Sequence, residues 1–113
     1  MALIYKICPE PLWRRAVAEG VFRGSPKDLS DGFIHFSDPG QVAETLTRHF
    51  ADEVNLVLVA VEASRLGAAL RYEPARGGKL FPHLYGPLDP KRVAWVREIP
   101  FGQGAQMFPE GMQ

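Results

Sequence analysis

Six consecutive apolar residues, Leu56-Val57-Leu58-Val59-Ala60-Val61, constrain this chain more than any other feature. The run is short, uninterrupted and half β-branched, which is the composition of a central strand buried on both faces. Helical patterns lie only upstream of it. Pro9 to Gly20 predicts a helix: proline suits the first turn, Leu12, Ala16 and Val17 share a face, and Gly20 stands where a helix ends. Asp38-Pro39-Gly40-Gln41 predicts a second helix start, with Asp38 as the cap and Pro39 in the first helical position. Val42, Leu46 and Phe50 then form one buried stripe. No helical pattern follows residue 50, which argues against a doubly wound α/β sheet.

The remaining elements are short. Ile4 to Ile7 and Gly32 to Phe36 read as strands, with a turn-rich segment around Gly24-Ser25-Pro26 between the first helix and the second strand. Leu70 to Glu73 and Leu80 to Tyr85 read as strands joined through the turn Arg76-Gly77-Gly78. Pro82 pushes the latter strand to an edge or a bulge. Val93 to Ile99 closes the series, and Gly102 to Gln113 is expected to be a loosely ordered tail. Eleven glycines and ten prolines among 113 residues agree with many short elements joined by tight turns. The order is that of an α+β chain: one domain over residues 1–113, with its core at about 3–100 and a mostly antiparallel sheet.

Composition removes several function classes. An apolar content of 46% and a charged content of 23% are those of a soluble globular protein. No apolar run approaches the ~20 residues of a membrane span, and Met1-Ala2-Leu3-Ile4-Tyr5-Lys6 carries no leader pattern, so a cytoplasmic location without membrane partners is expected. One cysteine, Cys8, excludes a disulfide scaffold and a cysteine-rich zinc site, and it reads as a small buried residue. Charge is balanced overall, but residues 1–62 carry six basic and nine acidic residues against seven and four in 63–113. That imbalance is too mild for general nucleic-acid binding. It suits one phosphate-bearing small molecule, or else only solvated arginines.

Polar groups inside apolar segments mark the candidate site. In Gly32-Phe33-Ile34-His35-Phe36-Ser37-Asp38, His35 and Ser37 share the strand face opposite Ile34 and Phe36. The following helix start would suit an anion. His35 is thus either a ligand-binding or proton-transfer group or a structural histidine. In Phe81-Pro82-His83-Leu84-Tyr85-Gly86-Pro87, Phe81, His83 and Tyr85 alternate onto one face, a stripe able to stack on a planar ring, or merely a half-exposed edge. Arg71 and Glu73 share a face: Arg71 could grip phosphate and Glu73 orient a sugar hydroxyl, or the two could pair across strands. Trp13 and Trp95 read as core or pocket wall. His35, His49 and His83 lack metal-ligand spacing, so no metal is expected. Phosphate-loop and dinucleotide glycine fingerprints are absent.

The combination of Ile4-Tyr5-Lys6-Ile7, Trp13, Gly20, Gly32-Phe33-Ile34-His35-Phe36-Ser37, Arg71-Tyr72-Glu73 and Phe81-Pro82-His83-Leu84-Tyr85-Gly86-Pro87 resembles the bacterial family catalogued as domain of unknown function 952, over about residues 3–100. More distantly, His35-Phe36-Ser37 before a helix, and the run 56–61 leading into Glu62-Ala63, resemble the ADP-ribosyltransferase-like fold, RNA 2′-phosphotransferases in particular. This likeness implies a split, curved, mostly antiparallel sheet with two helices in the N-terminal half and a cleft between two small sheets. The ligand it implies is NAD or another nucleotide, with ADP-ribosyl or phosphoryl transfer as the chemistry. On that reading His35, Glu73 and His83 are the catalytic candidates, while Lys6, Trp13, Ser37, Arg71 and Tyr85 bind ligand. The fold's NAD-using members carry histidine where Lys6 stands. A charged lysine only donates, which favours a phosphate oxygen over a ribose hydroxyl. The partner expected is one phosphorylated small molecule or nucleotide, bound by a monomer. A non-catalytic binding or interaction module, and a small hydrolase or isomerase using the histidines and Glu73 as acid and base, are the alternatives.

Overall fold

The computed structural model describes residues 2–102 and 105–106. Most of the tail expected at 102–113 lies outside the described residues. Two antiparallel three-stranded sheets and three α-helices make up one compact domain. The first sheet has the order β1 (Leu3–Pro9), β3 (Leu56–Glu62), β6 (Trp95–Ile99). The second has the order β2 (Ile34–His35), β5 (Leu80–Leu84), β4 (Leu70–Pro74). A two-stranded ribbon, β7 (Phe101–Gly102) and β8 (Ala105–Gln106), follows.

The apolar run is central, as its composition requires. Val57, Val59 and Val61 point into one core with Ile4, Trp13 and Phe22, while Leu56, Leu58 and Ala60 point into the other with Val42, Leu46 and Ile99. Helix α1 (Glu10–Glu19) lines the first core, and α3 (Val42–Phe50) lines the second. Gly20 ends α1 at φ +81°, a left-handed conformation that glycine adopts without a Cβ penalty, and its N–H donates to the Ala16 carbonyl.

Four expectations are corrected. Among the described residues there are three α-helices rather than two, because the turn-rich segment contains α2 (Pro26–Asp31). Ser25 caps it, accepting from the Asp28 N–H while the Asp28 carboxylate accepts from the Ser25 N–H, and Pro26 occupies its first turn. The third helix begins at Val42 and not at Pro39. Residues 38–41 form a turn in which the Gln41 N–H donates to the Asp38 carbonyl and the Gln41 side chain accepts from the Asp38 N–H, so the Asp38 carboxylate caps nothing. Strand β2 is only two residues long. Finally, Pro82 lies in β5, the middle strand of its sheet, and not at an edge. A residue's N–H and C=O point to the same side of an antiparallel strand. The Pro82 carbonyl accepts from Phe36, just past the end of β2, so its missing N–H also faces that end and removes no bond to β4.

The short β2 is what joins the sheets. Past Phe36 the chain leaves β5 and pairs instead with β1: the Tyr5 and Ser37 amides each donate to the other's carbonyl at 2.8 Å. Residues 34–37 therefore stitch the second sheet to the first, and the seam between them is where polar groups are buried.

Candidate functional site

A cleft of about 600 Å³ opens along this seam, within the range of small-molecule sites. Its walls include Tyr5, Ile7, Leu12, Phe36, Phe50 and Phe81, so they are largely apolar. Four of the residues singled out from the sequence reach it: Lys6, His35, Ser37 and His83.

On one side of the cleft the organising group is Asp28, fully buried in α2. One carboxylate oxygen lies 2.8 Å from Lys6 Nζ and accepts from the Ser25 amide. The other accepts from His35 Nδ1 at 2.6 Å and from the His35 amide at 3.2 Å. Burial alone would raise this carboxyl. The hydrogen bond from His35 and the Lys6 ammonium outweigh it and hold the group well below the ordinary carboxylate range. Asp28 thus ties α2 to β1 of the first sheet and to β2 of the second. The Nε2 of His35 lies 3.0 Å from Asp31. Both ring nitrogens of His35 thus face a carboxylate, so the ring is fixed between Asp28 and Asp31.

His83 is arranged differently. It stands directly opposite His35 in the register of β2 and β5, with ring centroids 5.5 Å apart. Its side chain is 6% exposed, and its Nδ1 lies 2.8 Å from the Glu73 carboxylate. A carboxylate only accepts, so Nδ1 carries the hydrogen and Nε2 is the acceptor nitrogen of the ring. Among the described residues Nε2 has no hydrogen-bond partner. The same Glu73 oxygen accepts from the Tyr85 hydroxyl at 2.8 Å, and these two bonds hold the Glu73 carboxyl low. Phe33 covers the outer face of His83, stacked at 4.1 Å, and also touches the rings of His35 and Tyr85. Beside them, the Ser37 and Thr45 hydroxyls share a hydrogen bond at the cleft wall.

The other sequence candidates do not line the cleft. Trp13 is a core residue packed on Phe22, because it lies on the face of α1 turned to the sheet. The Arg71 guanidinium lies over the Tyr85 ring, outside the cleft lining. Glu73 sits behind His83 and orients it rather than facing the cavity. Lys6 reaches the cleft, but its ammonium is taken up by Asp28. Cys8 is buried, and desolvation pushes its thiol up to about 12. Among the described residues no cluster of three or more metal-ligating side chains is in place, and no helix is long and apolar enough to cross a membrane.

The family model described as "Protein of unknown function (DUF952)" matches residues 7–96. The chain belongs to the DUF952 family. It is similar to protein CC0527 of Caulobacter crescentus, whose crystal structure aligns with 45% identity and a TM-score of 0.88 over 93% of each chain. The solution NMR structure of CC0527 aligns at 45% identity and a TM-score of 0.84, over 94% of this chain and 91% of that one. No curated protein matches.

Sequence reasoning missed two groups of this DUF952 site. Asp28 was legible: Ser25-Pro26-Lys27-Asp28 has the S-x-x-D spacing of a capping box, followed by Gly32 as terminator. Phe33 stood inside a quoted motif, but period-2 alternation places it on the His35 face without saying that it covers a second histidine.

Proposed function

We propose that this DUF952 protein binds a nucleotide-like small molecule in the seam cleft and that His83 is its acid–base group. The observation that carries the reading is His83 itself: a ring almost wholly buried in the lining of a largely apolar cleft, with Nδ1 held by Glu73 and Nε2 without a partner among the described residues. In this reading Nε2 takes a proton from a ligand N–H or O–H, and Glu73 stabilises the imidazolium that forms, an arrangement that contributes about 10²–10⁴-fold in general-base catalysis. His35, Asp28 and Lys6 fix the opposing wall, and Glu73 is a positioning residue. Convergence favours an enzyme over a passive module, since His35, His83, Glu73 and Tyr85 form one contiguous cluster. The finer likeness to ADP-ribosyltransferase-like proteins draws support from a cleft at the seam of two small sheets. Against NAD held in that fold's usual pose stands Lys6, which is bound to Asp28.

The test is a thermal-shift panel of nucleosides, nucleotides, NAD and phosphorylated sugars on the wild type and on His83→Gln. A ligand at 100 times its Kd stabilises by about 2.7 kcal/mol, an easily read rise in Tm. The reading expects at least one nucleoside-containing compound to raise Tm in the wild type and to lose most of that rise in His83→Gln. No rise across the panel, or an unchanged rise in the variant, overturns it.

A further inference from the structure

The charges of the cleft wall are already matched. Lys6 pairs with the buried Asp28 at 2.8 Å, so the buried lysine of the lining is engaged before any ligand arrives, whereas Lys27 lies at the surface, 69% exposed, in an i,i+4 pair with Asp31 at 3.3 Å. Two lining carboxylates, Asp28 and Glu53, equal those lysines in number. Among the three histidines of the lining, His35 lies between Asp28 and Asp31, and His49 already has a partner. His83 offers an acceptor nitrogen, because its donor is spent on Glu73.

An anion seated at the buried end of the cleft would have to break the Lys6–Asp28 pair, which is buried on both sides. Opening a buried pair leaves an uncompensated charge, and that is among the costliest single changes in a protein. An uncharged ring meets no such barrier. It would replace water against Tyr5, Phe36, Phe50 and Phe81, where burial of apolar area is favourable. The lone pair of His83 Nε2, which has no partner among the described residues, selects for a donor.

Resting on the reading that a nucleotide-like molecule occupies this cleft, we infer that the part entering it is an uncharged planar heterocycle that donates an N–H or O–H to His83 Nε2, and that any phosphate stays outside. This reverses the selectivity expected from Lys6 in the sequence. The cleft recognises the base-like end of its ligand, and a phosphate contributes at most as an exposed group at the mouth.

Matched pairs test this: adenosine with its 5′-monophosphate, guanosine with its own, and uridine with its own. Affinities are measured by NMR titration at about 20 mM and about 300 mM salt, which bracket strong and weak screening. The inference expects at least one nucleoside to bind, its monophosphate to be no more than about fivefold tighter at low salt, the most an exposed ion pair contributes, and that margin to vanish at high salt. Methylation of the donor nitrogen or oxygen of that ring should weaken binding at least about tenfold, because His83 Nε2 is left unsatisfied. A monophosphate tighter by more than that fivefold margin, or a methylated ring bound as well as its parent, overturns the inference and leaves the cleft a nucleotide site. Failure of every nucleoside and nucleotide to bind overturns the proposed function as well.

Discussion

Replacing Asp28 by asparagine probes the junction on which the site depends. The substitution keeps the shape of the side chain and removes its charge. Lys6, whose side chain is 7% exposed, is then left as a buried ammonium without a counter-charge. Breaking a buried pair from one side costs about 3–5 kcal/mol, and in a domain of this size that lowers Tm by more than about 10 °C. Urea denaturation with linear extrapolation measures the loss directly. The pH dependence has a defined sign. The Asp28 carboxyl titrates below its ordinary range in the folded protein. Its stabilisation is therefore fully present above the unfolded-state pKa of about 3.9 and is lost as pH falls through the lower folded-state value. Below about pH 4 the wild type should lose stability more steeply than Asp28→Asn. The double variant Lys6→Met/Asp28→Asn removes the stranded ammonium and should be more stable than the sum of the single losses implies. A single variant within about 0.5 kcal/mol of wild type, or strictly additive losses in the double, refutes the argument.

Three further outcomes follow from local geometry. Gly24 has φ +116°, and a Cβ there would sit 2.6 Å from Asp28 Cβ; Gly24→Ala should cost about 1–3 kcal/mol or more in denaturant titration, and an unchanged midpoint contradicts this. Asp38→Ala should leave stability within about 0.5 kcal/mol, since its carboxylate makes no cap; a loss above 1 kcal/mol, read the same way, would restore the capping role. The Cys8 thiol, pushed up to about 12, should resist iodoacetamide at pH 8 in the folded protein and react once unfolded; native-state labelling at the unfolded rate contradicts this.

What the sequence discloses divides along physical lines. Patterns that repeat along one element were legible: the run 56–61 could only be a doubly covered strand, and alternation put His35 and Ser37, or Phe81 and His83, on common faces. The pairing of His35 with His83 is a register fact, set by two residues of β2 meeting β5, and no local pattern encodes it. Helix α2 was read as a turn because six residues carry little periodicity and its stability comes from Asp28 reaching Lys6 and His35 across the seam. Lys6 illustrates the limit most sharply. Its place among the ligand-binding candidates came only from the resemblance, and its buried counter-charge, 22 positions away, was not readable at all. Pro82 was misplaced for a similar reason, since strand neighbours are settled by tertiary packing.

The account rests on His83 presenting a free acceptor nitrogen to the cleft. Long-range ¹H–¹⁵N correlation of the imidazole rings reads this directly. The neutral His83 ring should carry its hydrogen on Nδ1, Glu73→Ala should shift it toward Nε2, and Nε2 should move most when a nucleoside binds. A neutral wild-type ring protonated on Nε2, indifferent to Glu73 and to every ligand, would contradict the account.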